Sequence, residues 1–180
     1  MFNILANILS LIQYKTEEVC GLKEELRLEQ CVDCGRSNPW RHGSYNRDSD
    51  RLNPSCKSLN SIPIQRYYCA ACKKTMSVLP ECIPPRRWYL WETQQTALLL
   101  FLLGNSARAV EKQVKPSRHT IKRWVSWLIV QFRLHKDALC SHFPSLGLFT
   151  DPLSFWKHVF EKFPLSTAMR LCHVSGVAIP

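Results

Sequence analysis

Apolar positions recur at helical spacing toward both ends of this chain and alternate with polar ones in its middle. In the opening MFNILANILSLIQY, Leu5, Ile8, Leu9 and Ile12 fall on one helical face. This predicts a docking helix that continues into the charged stretch TEEVCGLKEELRLEQ. The segments WRHGSY and SIPIQRYYC read as strands. In the second, Ile62, Ile64, Arg66 and Tyr68 share one face, and Pro63, Gln65 and Tyr67 take the other. Between the two strands, NRDSDRLNPSCKSLNS is polar almost throughout and is a loop by composition.

After PPRR the period becomes helical again. ETQQTALLLFLLG supplies an apolar first helix, and SARAVEKQV a short second one that packs through Ala107, Val110 and Val114. The tripeptide KPS makes a tight turn with Ser117 as helix N-cap. In the third helix, RHTIKRWVSWL, residues Ile121, Trp124, Val125 and Leu128 recur at core-facing spacing. Prolines at 144, 152, 164 and 180 divide the remainder, with PLSFWKHVFEKF as a helical candidate. The expectation is an α+β chain in four sections. These are an N-terminal helical segment (1–30), a cysteine-bearing β element (31–83), a helical domain (84–136) and a short helical C-terminal segment (137–180).

The composition, 46% apolar with Trp 6 and Phe 8, is enough to build a core and argues against global disorder. The net charge of +10 is unevenly placed. Residues 1–30 hold 3 basic and 5 acidic groups, and residues 137–180 hold 3 of each, which leaves 18 basic against 6 acidic between 31 and 136. A basic excess confined to the middle suits either a nucleic-acid-binding surface or a solvated face. The apolar run at 97–104 is far below the roughly 20 residues that a bilayer requires. The amino terminus lacks both a basic leading segment and a small-residue cleavage site. A cytoplasmic protein without a membrane partner is expected.

Nine cysteines, an odd number, exclude a fully paired disulfide framework within one chain. Six of them lie in 31–83. CVDCG spaces Cys31 and Cys34 three apart, and YYCAACKK repeats that spacing with Cys69 and Cys72. Two Cys-x-x-Cys turns separated by a hairpin each direct two sulfurs to one point, as a closed tetrahedral Zn²⁺ site requires, and Gly35 permits the tight backbone after the first. One structural zinc ion is the expected cofactor, and so small a β element would depend on it to fold. A thioredoxin-like redox motif accounts for one pair but not two, and no βαβ pattern surrounds either. Ordinary buried thiols are the bland alternative. Cys56, Cys82 and His42 lie near enough to substitute for a ligand but read as bystanders. Cys20, Cys140 and Cys172 read as small core residues.

A short helix, a tight turn and a third helix with basic residues at its start is the helix-turn-helix layout. Arg118 is placed to pair with guanine, Lys122 to reach a base or a phosphate, and His119 to lie beside them at the surface. Lys115, Arg123, Arg86 and Arg87 suit phosphate contacts. A plain helical bundle with a solvated basic face is the competing reading.

These motifs together resemble a known family. CVDCG, RHGSY and IPIQRYYCAACKKTMSVLP are similar to the zinc ribbon at the front of bacterial insertion-sequence transposases. They are particularly similar to a related group of transposase-like domains of unknown function, in which such a ribbon precedes a helix-turn-helix. The likeness covers about residues 31–130. It implies that Cys31, Cys34, Cys69 and Cys72 are zinc ligands and that the helix ending near Leu128 is the recognition helix. The chain departs from the pattern at Lys73, where ribbons often have glycine, and in the long loop at 46–61.

Transposases of this kind add a ribonuclease-H-like domain with three acidic ligands for two divalent ions. Here only Asp137, Asp151 and Glu161 are acidic after the helix-turn-helix. They sit among proline-broken segments with too little chain for a sheet, so no catalytic residue is expected. The expected partner is DNA, with a transposase or a second copy of the chain as further candidates, and no small-molecule substrate is evident. The leading expectation is a zinc-dependent, non-catalytic DNA-binding protein of transposase-like origin, either a regulator or a truncated transposase head. The alternatives are a protein-interaction module built on a zinc ribbon, or the DNA-binding subunit of a transposase whose catalytic part is on another chain.

Overall fold

The run IPIQRYYC forms a central strand because each of its faces has something to bury. The computed structural model describes residues 2–5, 11–19, 27–48, 61–85 and 89–179. The chain divides into two units, Met1–Trp88 and Tyr89–Pro180. In the first unit, β1 (Phe2–Leu5), β2 (Trp40–Arg47), β3 (Ile62–Cys69) and β4 (Lys74–Pro80) form a sheet of order β1-β4-β3-β2. β2 and β4 flank β3 antiparallel, and β1 runs parallel to β4. Ile62 and Ile64 are fully buried on one face of β3, and Tyr67 and Cys69 on the other. Leu28, Cys31, Met76 and Val78 pack with Tyr67 and Cys69 into a small core beside the cysteines. The loop expected at 46–61 lies mostly outside the described residues.

The amino terminus departs from expectation. Residues 2–5 form strand β1 instead of the start of a helix, and the helix α1 spans Leu11–Val19. An apolar run this short fits either period, and the open edge of β4 selects the strand. Of the expected apolar face, only the Ile12 side chain is described. Ile12 is 67% exposed, whereas Leu11 and Tyr14 are buried. Tyr14 Oη donates to the Pro63 carbonyl of β3 at 2.7 Å, which anchors α1 to the sheet. Leu5 is described only as backbone, and Ile8 and Leu9 lie outside the described residues.

The second unit is helical: α2 (Trp91–Leu102), α3 (Ala107–Gln113), α4 (Arg118–Val130), α5 (Phe132–His142), a 3₁₀ turn (Pro144–Leu148), α6 (Pro152–Lys162) and α7 (Leu165–Val174). One core runs through it, from Ala97, Val110, Ile121 and Trp124 to Phe155, Trp156, Met169 and Cys172. The boundary expected at 136 therefore falls inside α5, because the carboxyl-terminal helices complete a core that the preceding ones share. Polar side chains satisfy four of these helix starts. Ser106 accepts from Ala109 N, Ser117 from Thr120 N, and Asp151 from Leu153 N and Ser154 N. The α7 start lacks a cap of its own, and Gln95 of α2 accepts from Leu165 N at 2.7 Å. The terminal amides would otherwise be unsatisfied, so these bonds fix where α3, α4, α6 and α7 begin.

His135 is the polar exception in this core. Its ring is fully buried, 4.5 Å from Trp127 and 5.4 Å from Trp156, and neither nitrogen makes a well-formed hydrogen bond. Burial lowers its pKa to about 4, although the Ala178 backbone favours protonation. The unfolded chain therefore takes up a proton on this ring before the folded one does. Its contribution is fully present above pH ~6.5 and is lost as the pH falls toward 4. A shift of that size corresponds to about 3 kcal/mol. Thermal unfolding followed by circular dichroism should show stability falling across this window, and His135→Phe should flatten the fall. An unchanged pH profile in that variant would contradict the assignment.

Lys73, at the β3–β4 turn, has φ +56°, a left-handed conformation that costs a residue with a Cβ roughly 1 kcal/mol. Lys73→Gly should therefore stabilise the first unit by up to about 1 kcal/mol in denaturant titrations. A destabilised variant would show that the lysine side chain contributes more than the backbone strain removes.

Candidate metal centre and basic helix

The first cysteine turn is built on a tight hairpin. Gln30 and Ser37 bridge, Cys31 N donates to Arg36 O, and Gly35 N donates to Cys31 O. Gly35, directly after Cys34, has φ +70°. The second turn links β3 to β4, and Lys73, directly after Cys72, holds nearly the same angle. The departure noted at Lys73 thus preserves the backbone shape and changes only the residue that adopts it. The two turns approach so that Cys31 Sγ lies 3.6 Å from Cys72 Sγ, and Cys34 Sγ lies 3.6 Å from Cys69 Sγ. All four sulfurs fall within 4.8 Å of one another.

That spacing can be tested against chemistry. Sulfurs ~2.3 Å from one tetrahedral centre lie about 3.8 Å apart, whereas a disulfide requires ~2.05 Å. The four thiols are unpaired, and their separations fit a single four-sulfur metal site. Their proton affinities diverge. Backbone N–H groups of Cys72 and Ala71 donate toward the Cys69 sulfur and lower its pKa to about 7. Desolvation raises Cys72 to about 12. Crowded thiols resist becoming thiolates together, and a bound cation removes that resistance. Asp33, between the first two cysteines, accepts from Lys74 Nζ at 2.6 Å, a cross-link between the turns. This pair is partly exposed and so orients the turns more than it stabilises them. The sequence carries its signal, since each Cys-x-x-Cys has a charged neighbour of opposite sign.

Of the other thiols and imidazoles weighed as ligands, His42 is exposed and lies against Tyr68, and Cys82 is half-buried outside the cluster. Cys172 is buried in the helical core, and Cys140 is half-buried against it. Cys20 and Cys56 lie outside the described residues.

The basic residues form a separate feature in the second unit. α3, the turn at 114–117 and α4 follow in sequence, and α4 has two distinct sides. Ile121, Trp124, Val125 and Leu128 are buried, while Arg118, His119, Lys122 and Arg123 are exposed. Lys115 is exposed in the turn. Arg86 and Arg87 lie outside the described residues. The α4 start is already satisfied. Ser117 caps it, and Glu111 Oε1 accepts from Arg118 N at 3.0 Å. An anion reaching this helix would therefore meet side-chain cations more readily than free backbone amides. No helix among the described residues is long and apolar enough to cross a membrane.

Residues 31–124 match the family described as a domain of unknown function, DUF6431. No curated protein and no solved structure matches the chain at a significant level. The family match covers more than half of the 180 residues, from the first cysteine of the metal centre to Trp124 of α4, and the chain belongs to the DUF6431 family.

Proposed function

We propose that this protein is a zinc-dependent, non-catalytic DNA-binding protein of transposase-like origin. The observation that carries the reading is the two-sided α4. Four basic or imidazole side chains are exposed at its start, and the opposite side is locked into a core. Such a helix presents cations in a fixed register, as a recognition helix entering a major groove must. Arg118 and Lys122 are the base-reading candidates, while Arg123 and Lys115 hold phosphates. His119 borders them.

In the first unit, Cys31, Cys34, Cys69 and Cys72 would hold the ion as thiolates. A zinc ion held by all four sulfurs would cross-link the two turns and serve a structural rather than a hydrolytic role. A non-catalytic role is supported by what the late acids do. Asp151 caps α6, Glu161 lies 3.3 Å from His158 on the same helix, and Asp137 is exposed on α5. A second reading, a protein-interaction module, is favoured by the exposed apolar side chains of Ile129, Val130 and Leu134 around the α4–α5 turn.

Metal analysis of the purified chain should give one zinc per molecule, and Cys69→Ser should abolish it together with the cooperative unfolding of the first unit. Zinc-free protein with an unchanged unfolding transition would exclude a structural metal. Duplex DNA affinity should fall steeply with salt, with a log–log slope of about −0.9 per phosphate neutralised. Arg118→Ala should cost roughly 1–3 kcal/mol on a preferred sequence and relax that preference. Lys115→Ala should weaken all duplexes alike and reduce the salt slope by about 1. If neither substitution alters duplex binding, α4 is not a recognition helix.

A further inference from the structure

The cysteine-bearing sheet has an open aromatic surface that neither the metal centre nor α4 accounts for. At its cysteine end, bordering Cys69 of the cluster, lies a cavity of about 370 Å³, walled by Arg36, Asn38, Trp40 and the Ala70–Ala71 turn. This is near the lower end of the ~300–1,000 Å³ typical of ligand sites, a size suited to one nucleobase with its sugar. Trp40 is 66% exposed, unusual for so large an apolar ring. The register pairs Trp40 with Tyr68 and Tyr45 with Ile64, so both β2 rings lie on the same face as Tyr68 and Arg66. The His42 ring lies 5.8 Å from that of Tyr68, which brings it to this face too. Gly43, at φ +73° within a bulge of β2, allows Trp40 and Tyr45 to share a face despite their odd spacing. The buried half of the face, Ile62 and Ile64, lies toward the opposite end of β3.

Two exposed rings, Trp40 and Tyr45, beside the half-buried Tyr68 and Arg66 and the exposed Arg36, suit a ligand that offers both π-faces and negative charge. An aliphatic protein surface would leave Arg36 and Arg66 without a counter-charge. Duplex DNA would leave the rings unused, because its base faces are hidden in the stack. We propose that this face binds unpaired, single-stranded DNA. One base stacks on Trp40 at the cavity mouth, Tyr45 and Tyr68 carry its neighbours, and Arg36 and Arg66 meet the phosphates. That the strand is DNA rests on the duplex-binding reading of α4; the stacking surface itself does not.

The test uses the metal-loaded full chain and a labelled oligothymidylate of about 10 nucleotides, within the ~4–16 of a single-strand site. Trp40→Ala should weaken this binding roughly 10-fold or more, Trp40→Tyr should retain most of it, and duplex affinity should stay unchanged in both. Arg118→Ala combined with Lys122→Ala should do the reverse, lowering duplex affinity and sparing the oligothymidylate, so failure of either surface is seen separately. Unaltered metal content and circular dichroism in Trp40→Ala would attribute its loss to the ring. The proposal is overturned if Trp40→Ala binds oligothymidylate like the parent, or if it loses duplex and single strand in equal proportion. Absence of oligothymidylate binding even at low salt would also overturn it and leave the face to a protein partner. Tighter binding of an oligouridylate would overturn the assignment to DNA.

Discussion

The convergence of four sulfurs within 4.8 Å is the constraint on which the first unit depends. Its sheet is small, and the core beside the cysteines consists of Leu28, Tyr67, Met76, Val78 and the sulfur-bearing residues themselves. Ile62 and Ile64 are buried on the other face of β3, and on the cysteine side a bound metal would cross-link the two turns. The cysteine side of this unit is built to bring both Cys-x-x-Cys turns to the same point. Gly35 and Lys73 take left-handed backbone after each turn, Asp33 meets Lys74 across the gap, and β3 and β4 are set by the second turn. The open aromatic face is a by-product of that arrangement. The turn after Cys69 places Ala70 and Ala71 around the cavity, and Trp40 reaches it from β2.

The helical unit is held differently. Its core is large, and its precision comes from polar groups at the helix ends. Ser106, Ser117 and Asp151 start three helices, and Gln95 reaches from α2 to start α7. The caps fix where their own helices start, Gln95 ties α2 to α7, and the buried stripe of α4 keeps its basic side in place. His135, buried between two tryptophans, is the point in this core where packing is retained at the expense of polar satisfaction.

Much of this was legible in the residues, for local reasons. The spacing of Cys31, Cys34, Cys69 and Cys72 announces a four-sulfur site because each turn's geometry is independent of the rest of the chain. Ser117 reads as a cap and Ile121, Trp124, Val125 and Leu128 read as a buried stripe because helix periodicity is strong over 13 residues. The opening MFNIL was misread because its run is too short to distinguish the two periods, and an edge strand about seventy residues away in sequence settled it. Lys73 looked like a departure because residue type alone does not reveal a left-handed turn. Trp40 gave no sign of being exposed, since its alternation with Arg41 and His42 suits burial equally well.

By itself the sequence determined which four cysteines cluster, the class of fold, the start of α4 and the residues on its buried side. Each follows from short-range geometry: a turn, a cap or a helical repeat. Only the tertiary structure decided that residues 2–5 join the sheet, that the last helices share the core of the earlier ones, and that Trp40, Tyr45 and Tyr68 share one face of the sheet. Those outcomes depend on which distant segment offers an unpaired strand edge or an uncovered apolar side, and residue order along the chain does not carry that information.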